Sequence, residues 1–301
     1  MARSKDRRVL VLANPKSGLS WSFNQMRRAM DTWWDVPGTD LCYQFCQNPA
    51  DGLAKTRRAV ERGTDIVLVV GGDGTVSTVG RGLIGTDTAL GMIPAGSGNG
   101  FARHFGIPLT PAQAARALAQ ATVRQIDVGL ADETPFLVTC SMAWDAAIAR
   151  SFARSRIRGI LPYAFAGVQG FFEYQPQDIS VELDSVEQIT FPAPVVFTVA
   201  NLSQYGGGAK IAPRARPDDG RLELVVALRQ DMPRLMANIH RLFDGSINAV
   251  PEVTSRTFRA MRVRRARASA IQIDGELVEA GREVAVRALP LALKVLVPQG
   301  A

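Results

Sequence analysis

Residues 66–75 read IVLVVGGDGT, and no other stretch constrains the chain as much. A run of five apolar, mostly β-branched residues suits a strand buried on both faces. Such strands belong to parallel sheets covered by helices. Gly71-Gly72-Asp73-Gly74-Thr75 follows directly. In open α/β sheets, ligands bind beyond the carboxyl ends of the strands. Glycines there let the backbone approach a ligand and turn N–H groups toward an anion. The helix expected after Thr75 adds a partly positive N-terminus. Asp73 would be repelled by phosphates unless it binds a metal or handles a proton. The plainer reading of the pentapeptide is a tight turn with an Asp cap.

The same pattern occurs twice more. Val9–Ala13 leads into Asn14-Pro15-Lys16-Ser17-Gly18, and Ala89–Ile93 leads into Pro94-Ala95-Gly96-Ser97-Gly98-Asn99-Gly100. A helix is expected over about Trp21–Trp34 and a strand over Leu41–Phe45. A second helix carries Ala54 to Val60, capped by Asn48 or Asp51, and a third spans Pro111–Ala121. This alternation predicts a parallel sheet flanked by helices, with all three loops at one edge. Together the loops offer backbone donors, the hydroxyls of Ser17, Thr75 and Ser97, and Lys16, which suits a polyphosphate. No G-x-x-x-x-G-K-[ST] occurs, and Gly96-x-Gly98-x-Gly100 has the wrong spacing for a dinucleotide fingerprint.

After Asp127 strands dominate: Phe136–Cys140, Ile179–Leu183, Val195–Ala200, Leu222–Ala227, Ala270–Ile273, Val284–Arg287 and Leu291–Val297. The expectation is an α/β domain over 1–128 and a mainly antiparallel β-rich domain over 129–301. The last strand is allowed to return to the first domain.

Composition narrows the function. Net charge is +7, from 35 Lys+Arg against 28 Asp+Glu. That permits nucleic acid, an anionic membrane or phosphorylated ligands. No zinc finger, RNP signature or clear helix-turn-helix pattern is present, so nucleic acid is not an expected partner. Cys42, Cys46 and Cys140 build no disulfide framework, and a reducing cytoplasm is the natural setting. The conspicuous apolar stretch Gly159–Phe172 has 14 residues, against about 20 for a membrane span. The basic start runs into only five apolar residues, which is not a secretory signal.

Taken together, the motifs resemble a family. Asn14-Pro-Lys-Ser-Gly18, Gly71-Gly-Asp-Gly-Thr75 and Pro94-Ala-Gly-Ser-Gly-Asn99 followed by Phe101-Ala102-Arg103 look like the catalytic domain of the diacylglycerol, sphingosine and ceramide kinases. Downstream, Trp144-Asp145-Ala146 is similar to that group's G-F-D-A. Asn201, Gly206-Gly207-Gly208, Ile211-Ala212-Pro213 and Asp218-Asp219-Gly220-Arg221-Leu222 resemble its second-domain signature, and Ile273-Asp274-Gly275-Glu276 its I-D-G-E. The resemblance covers nearly the whole chain. It implies an NAD kinase/phosphofructokinase-like first domain, ATP and Mg²⁺ as cofactors, and a lipid hydroxyl as acceptor. Trp144 stands where Phe is usual, and Cys46 where many members place a Thr that touches the nucleotide. Gly-Ser-Gly-Asn is closer to sphingosine and ceramide kinases than to many bacterial diacylglycerol kinases.

By that resemblance the three glycine loops hold the nucleotide. Asp73 faces the γ-phosphate. Asp274 and Glu276, read as alternating along an extended segment and so sharing one side, supply the base, with Asp73 as rival. A hairpin turn is the default for Asp274-Gly275 without the other motifs. Asp219, with the backbone carbonyls of Arg216 and Arg221, is implied to hold a structural Mg²⁺; an Asp-Asp-Gly turn explains it as well. Asp145 either recognises the lipid head group or caps. Arg150, Arg154, Arg156 and Arg158 precede the apolar 159–172 segment, which suits peripheral docking on an anionic membrane or a buried helix behind a solvated face. Arg262 and Arg264 are expected on a solvated strand face opposite Met261 and Val263. His104 and His240 are taken as structural, and a homodimer is left open. An NAD kinase-like enzyme with a soluble acceptor and a non-catalytic nucleotide- or lipid-binding module are the alternatives.

Overall fold

The computed structural model describes residues 7–17, 23–143 and 176–300. Two compact units form: Met1–Ile126 with Leu291–Ala301, and Asp127–Pro290. Two strands run from one unit into the other, β5 (Thr122–Ala131) and β16 (Glu283–Val297).

The first unit is α/β. It holds β1 (Arg7–Ala13), α1 (Phe23–Trp34), β2 (Thr39–Phe45), α2 (Pro49–Glu61), β3 (Ile66–Gly71), α3 (Asp73–Leu83), β4 (Ala89–Pro94), α4 (Gly100–His104) and α5 (Pro111–Ala119). The sheet order is β2-β1-β3-β4, all parallel, and Val295 of β16 pairs parallel with Leu90 of β4. Every residue of β3 and β4 is buried, as their unbroken apolar runs demand. β2 is the half-exposed edge. Of the two candidate caps for α2, Asn48 is the one used: its side chain accepts from the Asp51 N–H, and Pro49 occupies the first turn. Asp51 instead pairs with Lys55 at 2.7 Å. Trp34 is buried, and its indole N–H donates to the Ala115 carbonyl at 3.0 Å, pinning α1 to α5.

The second unit is antiparallel. It adds β6 (Thr134–Phe136), β7 (Thr139–Ser141), β8 (Ile179–Leu183), β9 (Glu187–Phe191), β10 (Pro194–Ala200), β11 (Leu222–Leu228), α6 (Met232–Ala237), α7 (Arg241–Asp244), β12 (Val253–Phe258), β13 (Ala260–Arg265), β14 (Ile271–Ile273) and β15 (Glu276–Val278). One sheet runs β12-β11-β10-β7-β14-β15, and β16-β13-β8-β9 forms a second layer. Phe197, Val199 and Leu224 from the first layer share one core with Ile179, Val181, Val263 and Val284 from the second. Met261 and Val263 are buried, and Arg262 and Arg264 are exposed.

Two expectations need correction. Phe136–Cys140 is not one strand but β6 and β7, because the intervening N–H groups of Leu137 and Val138 bond to a side chain, the Asp274 carboxylate, instead of a ladder. Val284–Arg287 and Leu291–Val297 are a single strand, β16, in which Leu291 takes a left-handed φ of 49°. Among the described residues, no helix is long and apolar enough to cross a membrane.

Candidate active site

The three glycine loops of the first unit are tied to one another. Asn14 lies just beyond β1; its side-chain amide donates to the Thr75 hydroxyl at 2.9 Å, and its oxygen accepts the Lys16 N–H at 2.9 Å. Thr75 is in the first turn of α3, so the first loop is fixed to the second. Asp73 opens α3. Its carboxylate accepts the Phe101 N–H of α4 at 3.1 Å, fixing the second loop to the third. Asn99, left-handed at φ 51°, closes the third loop by accepting the Gly96 N–H at 3.0 Å and donating to its carbonyl at 2.8 Å. Arg103 braces the same loop through the Gly98 carbonyl at 3.2 Å.

Where the second and third loops meet, two glycines touch. A Cβ on Gly96 would lie 2.6 Å from the Gly72 Cα, and one on Gly72 would lie 3.1 Å from the Gly96 Cα. Main chain is the only material that fits there. Gly72 is also the N-cap of α3 and supplies no side-chain cap bond. The helix therefore opens with N–H groups and a positive dipole end at the loop cluster, the elements from which anion sites are built.

Cys46, beside the first loop, is buried. Its thiol donates to the Ala13 carbonyl at 3.5 Å, and burial pushes its pKa up. It stays a neutral thiol packed into the fold at neutral pH.

In the second unit, Asp274 and Gly275 form the turn between β14 and β15, with left-handed φ of 48° and 91°. The extended reading of residues 273–276 is thus overturned: the backbone reverses between the two carboxylates, and strand alternation does not relate them. Asp274 is 8% exposed. Its carboxylate accepts the N–H groups of Leu137 and Val138 at 2.8 Å each and of Thr139 at 3.1 Å. Glu276 opens β15 on the sheet edge and is exposed. Asp219 is exposed and accepts the Arg221 N–H at 3.0 Å, while Arg216 lies 3.8 Å from Asp218. Gly220, left-handed at φ 70°, donates its N–H to buried Asp127 at 2.6 Å.

The model of the diacylglycerol kinase catalytic domain matches residues 8–131, and that of the YegS C-terminal NAD kinase beta sandwich-like domain matches residues 138–297. The chain belongs to this lipid kinase family. A diacylglycerol kinase of Mycobacterium tuberculosis is 31% identical over 97% of this chain and 96% of its own length. A Pseudomonas aeruginosa protein named "Probable lipid kinase YegS-like" is 29% identical over 98% and 96%. A solved structure of a diacylglycerol kinase from Bacillus anthracis str. Sterne superposes with a TM-score of 0.74 at 18% identity, over 97% of each chain. The α/β domain followed by an antiparallel β domain is the fold of this kinase family.

Within this kinase, the structure joins Asn14, Lys16, Gly72, Asp73, Thr75, Gly96 and Asn99 through the contacts above, and the Gly71 carbonyl accepts the Ala95 N–H at 2.9 Å. Gly18, Asp145 and the Arg150–Phe172 stretch lie outside the described residues. The sequence reading gave no role to two buried residues of the second unit, although Asn201 stands in the second-domain signature. Asp127 holds the Gly220 loop, and Asn201 donates to the carbonyls of Asp127 at 2.8 Å and Leu137 at 2.9 Å. The signal available was an Asp inside β5, directly before its apolar half Val128–Ala131, and an Asn directly after β10.

Proposed function

We propose that this kinase transfers the γ-phosphate of ATP to a hydroxyl of a lipid such as diacylglycerol or a sphingoid or ceramide-like lipid. The observation that carries the reading is the approach of Gly72 to Gly96, with Asn14, Asp73 and Asn99 locking three loops around it. Positioning and charge neutralisation are most of what phosphoryl transfer requires of a protein. The loop main chain from Asn14 to Gly18, Gly71 to Thr75 and Gly96 to Asn99 would cradle the phosphates, with Lys16 adding a positive charge. Mg²⁺, when bound, neutralises charge on the transferring group.

Glu276 is the proton acceptor in this reading, since it is exposed while three backbone N–H groups engage Asp274. The acceptor oxygen bonds to the γ-phosphorus, the bond to the β–γ bridging oxygen breaks, ADP leaves, and the hydroxyl proton passes to Glu276. Asp274 then serves as a strut, and Asp73 sets the loops and the field at the γ-phosphate. Asp219 with the carbonyls of Arg216 and Arg221 offers an all-oxygen donor set that suits Mg²⁺. Asp145 would face the lipid head group. The acceptor requires peripheral contact with a membrane from the cytoplasmic side.

The test is incubation of the purified chain with labelled ATP and Mg²⁺ against a panel of lipids in mixed micelles, and against NAD. Label on a lipid is expected, and it should vanish in Gly96→Val. Label on NAD alone would place the acceptor in solution. ATP binding without transfer to any acceptor would make the chain a binding module.

A further inference from the structure

We infer that Arg265 is a positioning residue that clamps the base of the hairpin carrying Asp274 and Glu276. The inference rests on the reading of Glu276 as proton acceptor. Arg265 ends β13, is a charged residue only 4% exposed, and its guanidinium reaches both legs of the hairpin. One Nη donates to the Ser269 hydroxyl at 2.9 Å, just before β14. The other donates to the Gly281 carbonyl, just after β15. Its backbone N–H adds a bond to the Arg282 carbonyl at 2.7 Å.

The hairpin needs such a clamp. β14 and β15 have three residues each, and β15 is the sheet edge, so among the described residues β14 is its sole strand partner. Hairpins this short are marginal alone. Asp274 anchors the tip from one side through residues 137–139, but nothing in that bond set fixes the spacing of the two legs. A planar guanidinium with donors in a rigid fork spans two chain segments at a defined distance. Burying that charge is costly, and an apolar side chain of similar volume would serve stability as well or better. The geometry that the fork sets is what an apolar residue cannot replace. The neighbouring loop is braced in turn: the Arg267 N–H bonds to Gln177 at 2.7 Å, and Gln177 reaches Ser269 at 3.4 Å.

The full chain carrying Arg265→Met, Arg265→Lys, Glu276→Gln or Arg265→Met with Glu276→Gln decides the matter, assayed with labelled ATP and diacylglycerol in micelles. Arg265→Met should lower kcat about 10–100-fold, the scale expected when a reacting group is misplaced by about an ångström, with KM for ATP unchanged. Arg265→Lys should recover part of the loss. In the Glu276→Gln background, Arg265→Met should lower the rate no further, because both changes act through one group. Hydrogen exchange should quicken at residues 271–280 and stay slow in β10 and β11. Wild-type kcat together with unchanged exchange in the hairpin overturns the inference. So does a loss of protection spread evenly through the second unit, which would mark Arg265 as a general stabiliser. Full activity in Glu276→Gln removes the underlying assignment of the base, and the exchange pattern alone then upholds or rejects the clamp.

Discussion

The two units place their loops by different physics. In the first, β1, β3 and β4 run parallel, so the loops that follow them all emerge at one rim. Side-chain bonds from Asn14 and Asp73 then tie the loops to one another, and those of Asn99 close the third. In the second unit the strands alternate in direction, so sheet topology does not gather the loops. Buried polar side chains do it instead: Asp127 holds Gly220, Asn201 bridges the carbonyls of Asp127 and Leu137, and Asp274 takes three N–H groups of the β6–β7 link. A parallel sheet makes its loop cluster mainly from backbone direction, whereas an antiparallel sheet makes one from side chains that cannot be lost singly.

That difference can be broken experimentally. Asp274→Ala should have the largest effect, about 3–5 kcal/mol of stability, because it strands three N–H groups in a buried site. Chemical denaturation of the full chain measures it. A loss of activity with unchanged stability would instead mark Asp274 as chemical rather than structural. Gly96→Ala should destabilise by about 1–3 kcal/mol through backbone overpacking against Gly72, and nucleotide affinity measured by calorimetry should fall by more than that stability loss alone predicts. Asn14→Ala should cost only about 1 kcal/mol, one hydrogen bond between loops whose strands already place them side by side.

Two smaller effects sharpen the picture of the parallel unit. Under native conditions an alkylating reagent should modify Cys42, which is exposed, and spare Cys46 and Cys140, which are buried; mass spectrometry of the labelled peptides checks this. The hydrogen bonds from Lys55 and Lys294 hold Asp51 and Asp87 below the ordinary carboxylate range. Their folded pKa is the lower one, so their small stabilisation is present above the ordinary Asp value and fades as pH falls through the folded value. Thermal unfolding of Lys294→Met should therefore differ least from wild type at the acid end.

Much of the first unit was legible because its signals are local. Ile66–Val70 and Ala89–Ile93 announce buried strands by composition alone, and the glycine loops follow them directly in the chain. The second unit was legible as strands and not as a site. The turn at Asp274-Gly275 was readable as a hairpin default, yet the carboxylate's partners lie 135 to 137 residues away. No periodicity reports that distance.

By itself, the sequence determined the alternating strands and helices of the first unit, several strands of the second, the face that such strands bury, as in Met261 and Val263 against Arg262 and Arg264, and which loops follow β1, β3 and β4. These depend on the period of apolar residues and on glycine freedom, both local properties. Tertiary structure alone decided that Asp73 ties two loops together, that Asp274 takes three N–H groups at a turn, that β6 and β7 are separate strands, and that Arg265 lies buried with bonds to Ser269 and Gly281 on either side of a hairpin. Each is a hydrogen bond between distant residues, and a buried polar group's partner is chosen by the folded neighbourhood, not by its neighbours in the chain.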